Sequence, residues 1–153
     1  MDKVKEMTTA RLTGSVKITC VNEKTGEVKI VENHNLVVNN TYEQLAKLLG
    51  LVDGFVTPIT NIAFGIGGAT APAVTDTSIT GVVTSIAATV TYPVAYTVVY
   101  TASWGSAASS AADINEVGLL FQDNSLAARQ VFSIMRKSTG WTWTIVWTLA
   151  YSV

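Results

Sequence analysis

Charged residues are scarce in this sequence of 153 residues. Asp, Glu, Lys and Arg make up 14% of it, against about 25% in an average soluble domain, while apolar residues make up 48%. The net charge is −1. Nucleic-acid binding requires clustered Lys and Arg that neutralise phosphates, so this composition argues against a nucleic-acid partner. A surface with so few charges is either covered by protein partners or coated with small neutral polar groups.

The scarcity of charge is greatest in the middle of the chain, where Asp76 is the only charged side chain between Gly54 and Ala112. The same segment lacks a long hydrophobic run, because Thr, Ser, Gly or Pro interrupts it every few positions. A membrane-spanning helix needs about 20 consecutive apolar residues, so no membrane span is predicted. The enrichment in Val, Ile, Thr and Tyr favours strands, and the lack of charge favours strands that are covered on both faces.

Cysteine and histidine are nearly absent, with one of each. Cys20 cannot form an internal disulfide, and its place in an alternating run predicts a small core residue on a strand. Any Ser-His or Cys-His catalytic pair would have to use His34, and Cys20 lies on the same predicted hairpin. Zinc sites need three or four ligands at suitable spacing, and motifs such as CxxC or HExxH do not occur. We therefore predict no enzymatic activity, no catalytic residue, no metal and no cofactor.

The Gly-rich residues 65–70 lack the other parts of a phosphate site. A P-loop needs a Lys and a Ser or Thr at the start of a helix, whereas residues 71–76 predict an extended loop. The glycines are expected to allow turns or the close approach of another backbone. Among the carboxylates of the second half, Asp113, Glu116 and Asp123, the two aspartates have the positions of turn or capping residues rather than those of a glycosidase pair.

The chain begins with charged residues and no apolar block follows them, so no secretory signal is expected and the protein is predicted to be made in the cytoplasm. Residues 1–13 have too little pattern for a core element. They are predicted to be an N-terminal arm that becomes ordered on contact with a neighbouring subunit. Residues 14–153 are predicted to form a single domain, because a chain of this length buries about 70% of its unfolded surface.

Local patterns predict one helix among many strands. Thr41 and Gln44 have the spacing of a capping box and Gly50 that of a helix stop, so a helix is expected at about 41–49, with its leucines against the sheet. Pro93 predicts a bend, an edge or a turn. The predicted strands are residues 15–21, 27–32, 59–64, 80–92, 95–104, 114–121, 126–136 and 141–153.

The last predicted strand has the clearest alternation in the sequence, with three tryptophans on one face and mostly Thr, Ala and Ser on the other. We interpret the tryptophans as core residues, with an exposed aromatic anchor at Trp141 or Trp143 as the alternative. Arg129, Arg136 and Lys137, near the hairpin of the predicted strand 126–136, could form a local positive edge against an acidic partner. The candidate interface residues are Trp104, Trp141, Trp143, Tyr100, Arg129 and Arg136.

Several segments carry a resemblance to a known group of proteins. One is a strand that ends in Gly-x-Gly, followed by a loop and an Asp-Thr-x-apolar start of the next element. The segments are residues 59–68, 71–72 and 76–79, residues 34–40 leading into 45–49, residues 115–121 followed by 127–129, and the Trp-Thr-rich final strand. Together they cover about residues 30–153 and resemble small structural proteins of tailed bacteriophages, of the capsid decoration (cement) or tail-associated type.

The resemblance implies a virion protein, with the major capsid protein or other virion proteins as partners. A capsid cement subunit that stabilises the head by protein–protein packing is the preferred role, and a homo-oligomer is expected. The alternative is a tail or fibre-attachment protein that binds a host-surface carbohydrate through aromatic residues such as Trp104, Tyr100 and Trp141. The expected fold is mainly β: an antiparallel β-sandwich, of which a jelly roll is one form, with one short helix.

Overall fold

The computed structural model of the chain describes residues 11–50, 52–54 and 58–152. Within these residues the chain forms nine strands and one helix. The elements are β1 (Arg11–Asn22), β2 (Val28–Val37), α1 (Asn39–Gly50), β3 (Ile59–Gly65), β4 (Thr84–Ala87), β5 (Thr89–Val94), β6 (Thr97–Trp104), β7 (Ile114–Phe121), β8 (Leu126–Met135) and β9 (Trp141–Ser152).

All nine strands belong to one antiparallel sheet with the order β4-β3-β7-β8-β2-β1-β9-β6-β5. The longest ladder joins β1 to β9, from the pair Arg11 and Ser152 to the pair Asn22 and Trp141. The two ends of the order come together, because β4 also contacts β6. The sheet is therefore nearly closed and barrel-like around its apolar interior.

A bend at Ala88 brings the sheet close to closure. β4 pairs with β3, β5 pairs with β6, and Ala88 alone separates the two strands. The N–H of Ala88 donates to the carbonyl oxygen of Thr60 at 2.8 Å, which holds the bend against β3. The prediction of one strand over residues 80–92 is wrong, because the chain crosses here from one edge of the sheet to the other and changes its pairing partner.

Pro93 occupies an edge position, one of the alternatives that its missing N–H predicts. It lies in β5, whose six residues are all exposed, and the ladder with β6 shifts register between Thr91 and Val94. The turn that follows places Tyr96 at φ +64°, in the left-handed region that few non-glycine residues adopt. Tyr96 is held there by a hydrogen bond from its N–H to the hydroxyl of Tyr92 at 2.8 Å.

The helix α1 begins two residues before the predicted start and reaches Gly50. Its buried side chains are polar, Thr41 and Gln44. The Thr41 hydroxyl donates to the carbonyl oxygen of Ala127 in β8 at 2.7 Å, and the Gln44 amide donates to Asn40 Oδ1 at 3.1 Å. The predicted capping box is therefore wrong, since Thr41 binds the helix to the sheet and does not cap it.

The predicted leucine stripe of α1 is also not its buried face. Leu45 is half-buried and packs against the core, whereas Leu48 is exposed and Leu49 is 87% exposed. The hydrogen bonds of Thr41 and Asn40 to β8 and its preceding turn set the rotation of the helix, and this rotation turns the last leucines outward.

Aromatic rings fill the centre of the barrel-like sheet. Phe64 of β3, Trp104 of β6 and Trp143 of β9 contact one another with ring centroids 5.5 to 5.7 Å apart. Trp143 is 2% exposed and Trp147 is fully buried, so both lie in the core, as interpreted from the alternation of the last strand. Cys20 is buried on β1, which confirms its prediction as a small core residue.

The predicted boundary of the N-terminal arm lies inside a strand. Residues 11–13 are the first residues of β1 and pair with residues 150–152 of β9. Residues 1–10 of the predicted arm, and Val153 at the end of the last predicted strand, lie outside the described residues.

The predicted fold class is confirmed at the level of a mainly β, antiparallel protein with one helix among the residues described. The sandwich and jelly-roll forms are not confirmed, because the strands follow one another in a single continuous order. The physical reason is that β2 pairs with strands of both halves, β1 on one side and β8 on the other, so hydrogen bonding is not interrupted between two layers.

Replacing Trp143 by Ala should lower the free energy of unfolding by about 3–5 kcal/mol, because it removes a buried ring and leaves a cavity. Trp141→Ala is the matched control, since Trp141 lies two residues away on the same face but is only half-buried. The free energy of unfolding should fall less than half as far in Trp141→Ala as in Trp143→Ala. Urea unfolding measures both variants, and equal losses would contradict the placement of Trp143 at the centre of the core.

Candidate functional site

The six candidate interface residues occupy different environments. Trp104, Trp143, Tyr100 and Arg129 are buried, each with at most 8% of its surface exposed. Buried side chains offer little area to a partner. Trp141 is half-buried, and Arg136 is exposed. Trp141 and Arg136 both line a surface cleft between β2 and β8. The structure therefore brings together the two candidates that reach the surface.

Arg129 forms the centre of a buried polar cluster. Its Nε donates to Glu116 Oε1 at 2.8 Å and its Nη1 to Asp76 Oδ2 at 2.9 Å. Its Nη2 donates to the carbonyl oxygens of Gly67 at 2.9 Å and Thr70 at 3.0 Å. Burial lowers the pKa of Arg129, but the hydrogen bonds and charges of Glu116 and Asp76 outweigh this effect and raise the pKa overall. The expectation that Arg129 forms an outer positive edge is therefore wrong, because its charge is balanced inside the domain.

The Gly-rich loop at residues 65–70 packs directly onto this Arg129 cluster. A Cβ atom at Gly67 would overlap the Glu116 carboxylate, and one at Gly68 would overlap the carbonyl oxygen of Asn115. The N–H of Gly68 donates to Asn115 Oδ1 at 2.8 Å. The predicted close approach of another backbone is confirmed at Gly68, whereas Gly67 is approached by the Glu116 side chain.

β2 and β8 separate after two residue pairs, Leu36 with Arg129 and Val37 with Ala128. In the part of the chain that the structure describes, no further pair continues this ladder. β2 remains paired with β1 on its other side, and β8 with β7, so one edge of each strand is left unpaired. Unpaired edges present N–H and C=O groups that can bond to an added strand. We call the opening between residues 28–35 of β2 and residues 130–135 of β8 the β2–β8 cleft.

Exposed apolar side chains lie on both strands that border the β2–β8 cleft. Val28 and Ile30 of β2 are more than half exposed, and Ile134 of β8 is 66% exposed. The cleft has a volume of about 290 Å³. Its lining residues are Cys20, Lys29, Ile134, Met135, Arg136, Ser138, Trp141 and Trp143.

Two cations lie at the rim of the cleft. The Lys29 ammonium group is 4.9 Å from the centroid of the Trp141 ring, within the range of a cation–π contact. The Arg136 Nε donates to Asp113 Oδ1 at 2.8 Å in an exposed ion pair. The arrangement suits an extended segment that carries apolar side chains together with an acidic group.

Lys29 was not identified from the sequence as a site residue. It pairs with Cys20 across the β1–β2 hairpin, so its side chain is on the inward face of β2. A charged residue at an inward position of an alternating hairpin is the signal that would have identified it, since such positions are normally apolar.

Lys137 lies in the chain between Arg136 and Ser138, which line the β2–β8 cleft, but its own side chain points into the domain. It is fully buried, and its Nζ donates to the carbonyl oxygens of Gly105 at 2.7 Å and Ala108 at 2.6 Å, with the Trp104 ring centroid 5.3 Å away. Burial lowers the pKa of Lys137, and attraction to Cys20 and Glu23 partly opposes this effect. The prediction that Lys137 contributes to a local positive edge is wrong, because its side chain is buried and closes the loop at residues 105–108.

Neither a metal site nor a membrane-spanning helix is found among the described residues. Among residues 11–50, 52–54 and 58–152, no three His, Cys, Asp or Glu side chains are grouped so that they could hold a metal ion. No helix in the described ranges is both long enough and apolar enough to cross a membrane.

Substituting Arg129 by Met should lower the free energy of unfolding by about 3–5 kcal/mol, because the buried Glu116 carboxylate then lacks its partner. Arg136→Met is the matched control: it removes the same side chain from the exposed pair with Asp113 and should cost about 1 kcal/mol or less. Urea unfolding at pH 7 measures both. A loss for Arg129→Met no greater than that of the control would contradict the role of the Arg129 cluster.

Burial raises the pKa of the Cys20 thiol from 9.0 to about 11, and Lys29 and Lys137 lower it by less. The folded state thus favours the protonated thiol, so this contribution to stability is complete below pH 9 and is lost as the pH rises to 11. Between these values the parent protein should lose about 2 kcal/mol more than Cys20→Ala. Urea unfolding at a series of pH values tests this, and parallel curves for the two proteins would refute it.

No family model, curated protein or solved structure matches this chain.

Proposed function

We propose that this protein is a non-catalytic structural subunit of a tailed-bacteriophage particle, and that it functions by packing onto neighbouring protein subunits. The observation that carries the proposal is the β2–β8 cleft, where two unpaired strand edges are flanked by exposed apolar side chains. Exposed apolar surface next to unpaired strand edges is a feature of protein-binding sites.

Strand addition is the mechanism that the cleft supports best. An extended segment of a neighbouring subunit that entered the cleft would bond to the free edge of β2, of β8 or of both. Its apolar side chains would cover Ile30 and Ile134, and burial of this kind contributes about 25 cal/mol for each Å² removed from water. Many copies on one lattice would add avidity to a weak single contact.

The resemblance to small phage structural proteins is the basis for proposing a phage particle and for proposing where on that particle the protein binds. We favour a cement subunit on the capsid, bound to the major capsid protein or to other virion proteins and assembled as a homo-oligomer. The small size, the near-neutral charge and the uncharged middle segment of the chain support this role. The protein would be made in the host cytoplasm and would reside in the virion.

A tail or fibre-attachment protein that binds a carbohydrate is the second proposal. Of the aromatic residues assigned to sugar binding, Trp104 and Tyr100 are buried, and Trp141 alone is half-buried at the rim of the cleft. Sugar recognition stacks an exposed ring against the ligand, so this placement favours protein packing over the glycan role. A tryptophan fluorescence titration combined with a glycan array separates the two, because a cement subunit should give no sugar response.

We also infer that the two halves of the sheet act as the layers of a β-sandwich. Phe64 of one half packs against Trp104 and Trp143 of the other across the interior, which supports a layered arrangement. The jelly-roll form stays a prediction.

The direct experiment adds the purified protein to phage capsids that lack it. Electron microscopy should show added density on the capsid surface, and the capsids should become more resistant to heat. Binding to purified tails and not to capsids would move the role to the tail. Failure to bind either assembly, together with a stable monomer in solution, would refute the proposal.

Ile30→Glu should weaken capsid binding at least tenfold, because it places a charge on the free edge of β2 beside the β2–β8 cleft, where an added segment would have to exclude water from it. Val82→Glu is the matched control: Val82 has the same exposure of 55% but lies in the loop before β4, away from the cleft. Sedimentation of capsids with labelled protein measures both. Equal binding by the two variants would show that the cleft is not the docking surface.

A further inference from the structure

A second cavity opens at the end of the barrel-like sheet that α1 covers. It lies at the opposite end of β9 from the β2–β8 cleft, eight residues along the strand or about 26 Å at 3.3 Å per residue. Its volume is about 460 Å³. Its lining residues are Leu12, Thr41, Gln44, Leu45, Pro58, Ile59, Tyr92, Tyr96, Thr97, Val98, Tyr100, Phe121, Leu149 and Tyr151.

The cavity is apolar at its floor and hydroxyl-rich at its mouth. Ile59, Phe121 and Leu149 at the floor are each less than 10% exposed. Tyr92 and Tyr96 at the mouth are more than 60% exposed. None of the described residues that line the cavity carries a charge. A ligand that matches this gradient has a hydrocarbon body and an uncharged, hydrogen-bonding end.

Hydroxyl groups of tyrosine supply the polar contacts. Burial raises the pKa of Tyr100. Burial also raises the pKa of Tyr151, and the charge of Tyr42 raises it by a smaller amount. Both phenols therefore stay protonated at neutral pH and can donate hydrogen bonds. The Tyr96 N–H donates to the Tyr92 hydroxyl at 2.8 Å, which holds the Tyr92 ring at the mouth. This side of the mouth is thus in place before any ligand enters, which reduces the cost of binding.

We propose that this cavity binds a neutral single-chain amphiphile, with the chain against Leu45, Ile59 and Leu149 and the uncharged head group among the tyrosines. The volume falls within the range of about 300–1,000 Å³ that is usual for small-molecule sites, and such sites are mostly apolar with a few placed polar groups. The inference stands on the cavity and is independent of packing at the β2–β8 cleft.

The test is a ligand series measured by thermal unfolding and isothermal titration on the full chain. 1-Octanol, and octyl glucoside below its critical micelle concentration, should both bind saturably. Each should raise Tm by about 5–10 °C at a concentration of about 100 Kd. Octanoate at pH 8 should bind several-fold more weakly, because no cation lines the described part of the cavity to pair with its carboxylate. Glucose should not bind.

Two variants connect the binding to the cavity. Leu45→Trp fills it from α1 and should abolish octanol binding. Tyr96→Gly removes a ring from the mouth at a position whose φ of +64° suits glycine, so the variant should fold and bind octanol several-fold more weakly. Asn124→Gly is the matched control, because Asn124 also has a positive φ, of 68°, but does not line the cavity. It should leave octanol binding unchanged.

Several outcomes would overturn the proposal. The first is no saturable Tm shift with octanol or octyl glucoside, and the second is octanoate binding as tight as that of octanol. Glucose binding with the affinity of octyl glucoside would identify the cavity as a sugar site. Loss of capsid binding in Leu45→Trp, without any octanol binding by the parent, would assign the cavity to a protein segment. Capsid binding by the parent protein is read separately, so failure of this inference does not imply failure of the proposed function.

Discussion

Closure of one sheet around an apolar interior is the constraint on which the other features depend. A sheet with Phe64, Trp104 and Trp143 on its inner side must curl until these rings are covered. Curling brings the first and last strands of the order together, and the chain joins them through the single residue Ala88. The short strands β4 and β5, the exposed edge at Pro93 and the shift of register beside it all follow from this crossing.

Closure also forces polar groups into places where they need partners. The loops that cross the ends of the sheet carry backbone carbonyl groups, and buried carbonyl groups must find donors. Arg129 supplies two such donors to the loop at residues 65–70, and Lys137 supplies them to the loop at residues 105–108. Glu116 and Asp76 then balance the arginine. Four of the seven charged residues after Gly54 are in this way used for architecture, which leaves the outer surface of that part poor in charge.

The closure is incomplete in two places, and these are the two places with features of binding sites. Between β2 and β8 the ladder stops after two pairs and leaves free edges beside Trp141 and Lys29. At the other end, α1 lies across the opening with Thr41 bound to β8, and the space beneath it is not filled by its leucines. One opening offers backbone groups and charge, whereas the other offers a neutral apolar volume. The difference in chemistry suits a protein segment at the first and a small amphiphile at the second.

The sequence by itself determined the class of the protein and most of its strands. Alternation over residues 15–21 and 141–153 predicts β1 and β9 well, because a strand with one buried face imposes a period of two that no other element shares. It also placed Cys20, Trp143 and Trp147 in the core, whereas Trp141, predicted with them, is only half-buried. Asp76 was noted as the one charge of the middle segment, but its partner was not, because Asp76 and Arg129 are 53 residues apart.

What only the tertiary structure decided is where the pairing changes and which long side chains turn inward. The bend at Ala88 and the separation of β2 from β8 depend on closure of the whole sheet. Closure results from contacts between distant strands, so it leaves no pattern in the local sequence. The burial of Arg129 and Lys137 depends on loops far away in the chain. The candidate site shows the same division: Trp141 and Arg136 could be proposed from residue type, whereas their meeting in one cleft required the register of β1 on β2 and β9. Residue type and local period report on the conformation of a few neighbouring positions. Contacts between distant segments exist only once the chain has folded, so no local pattern records them.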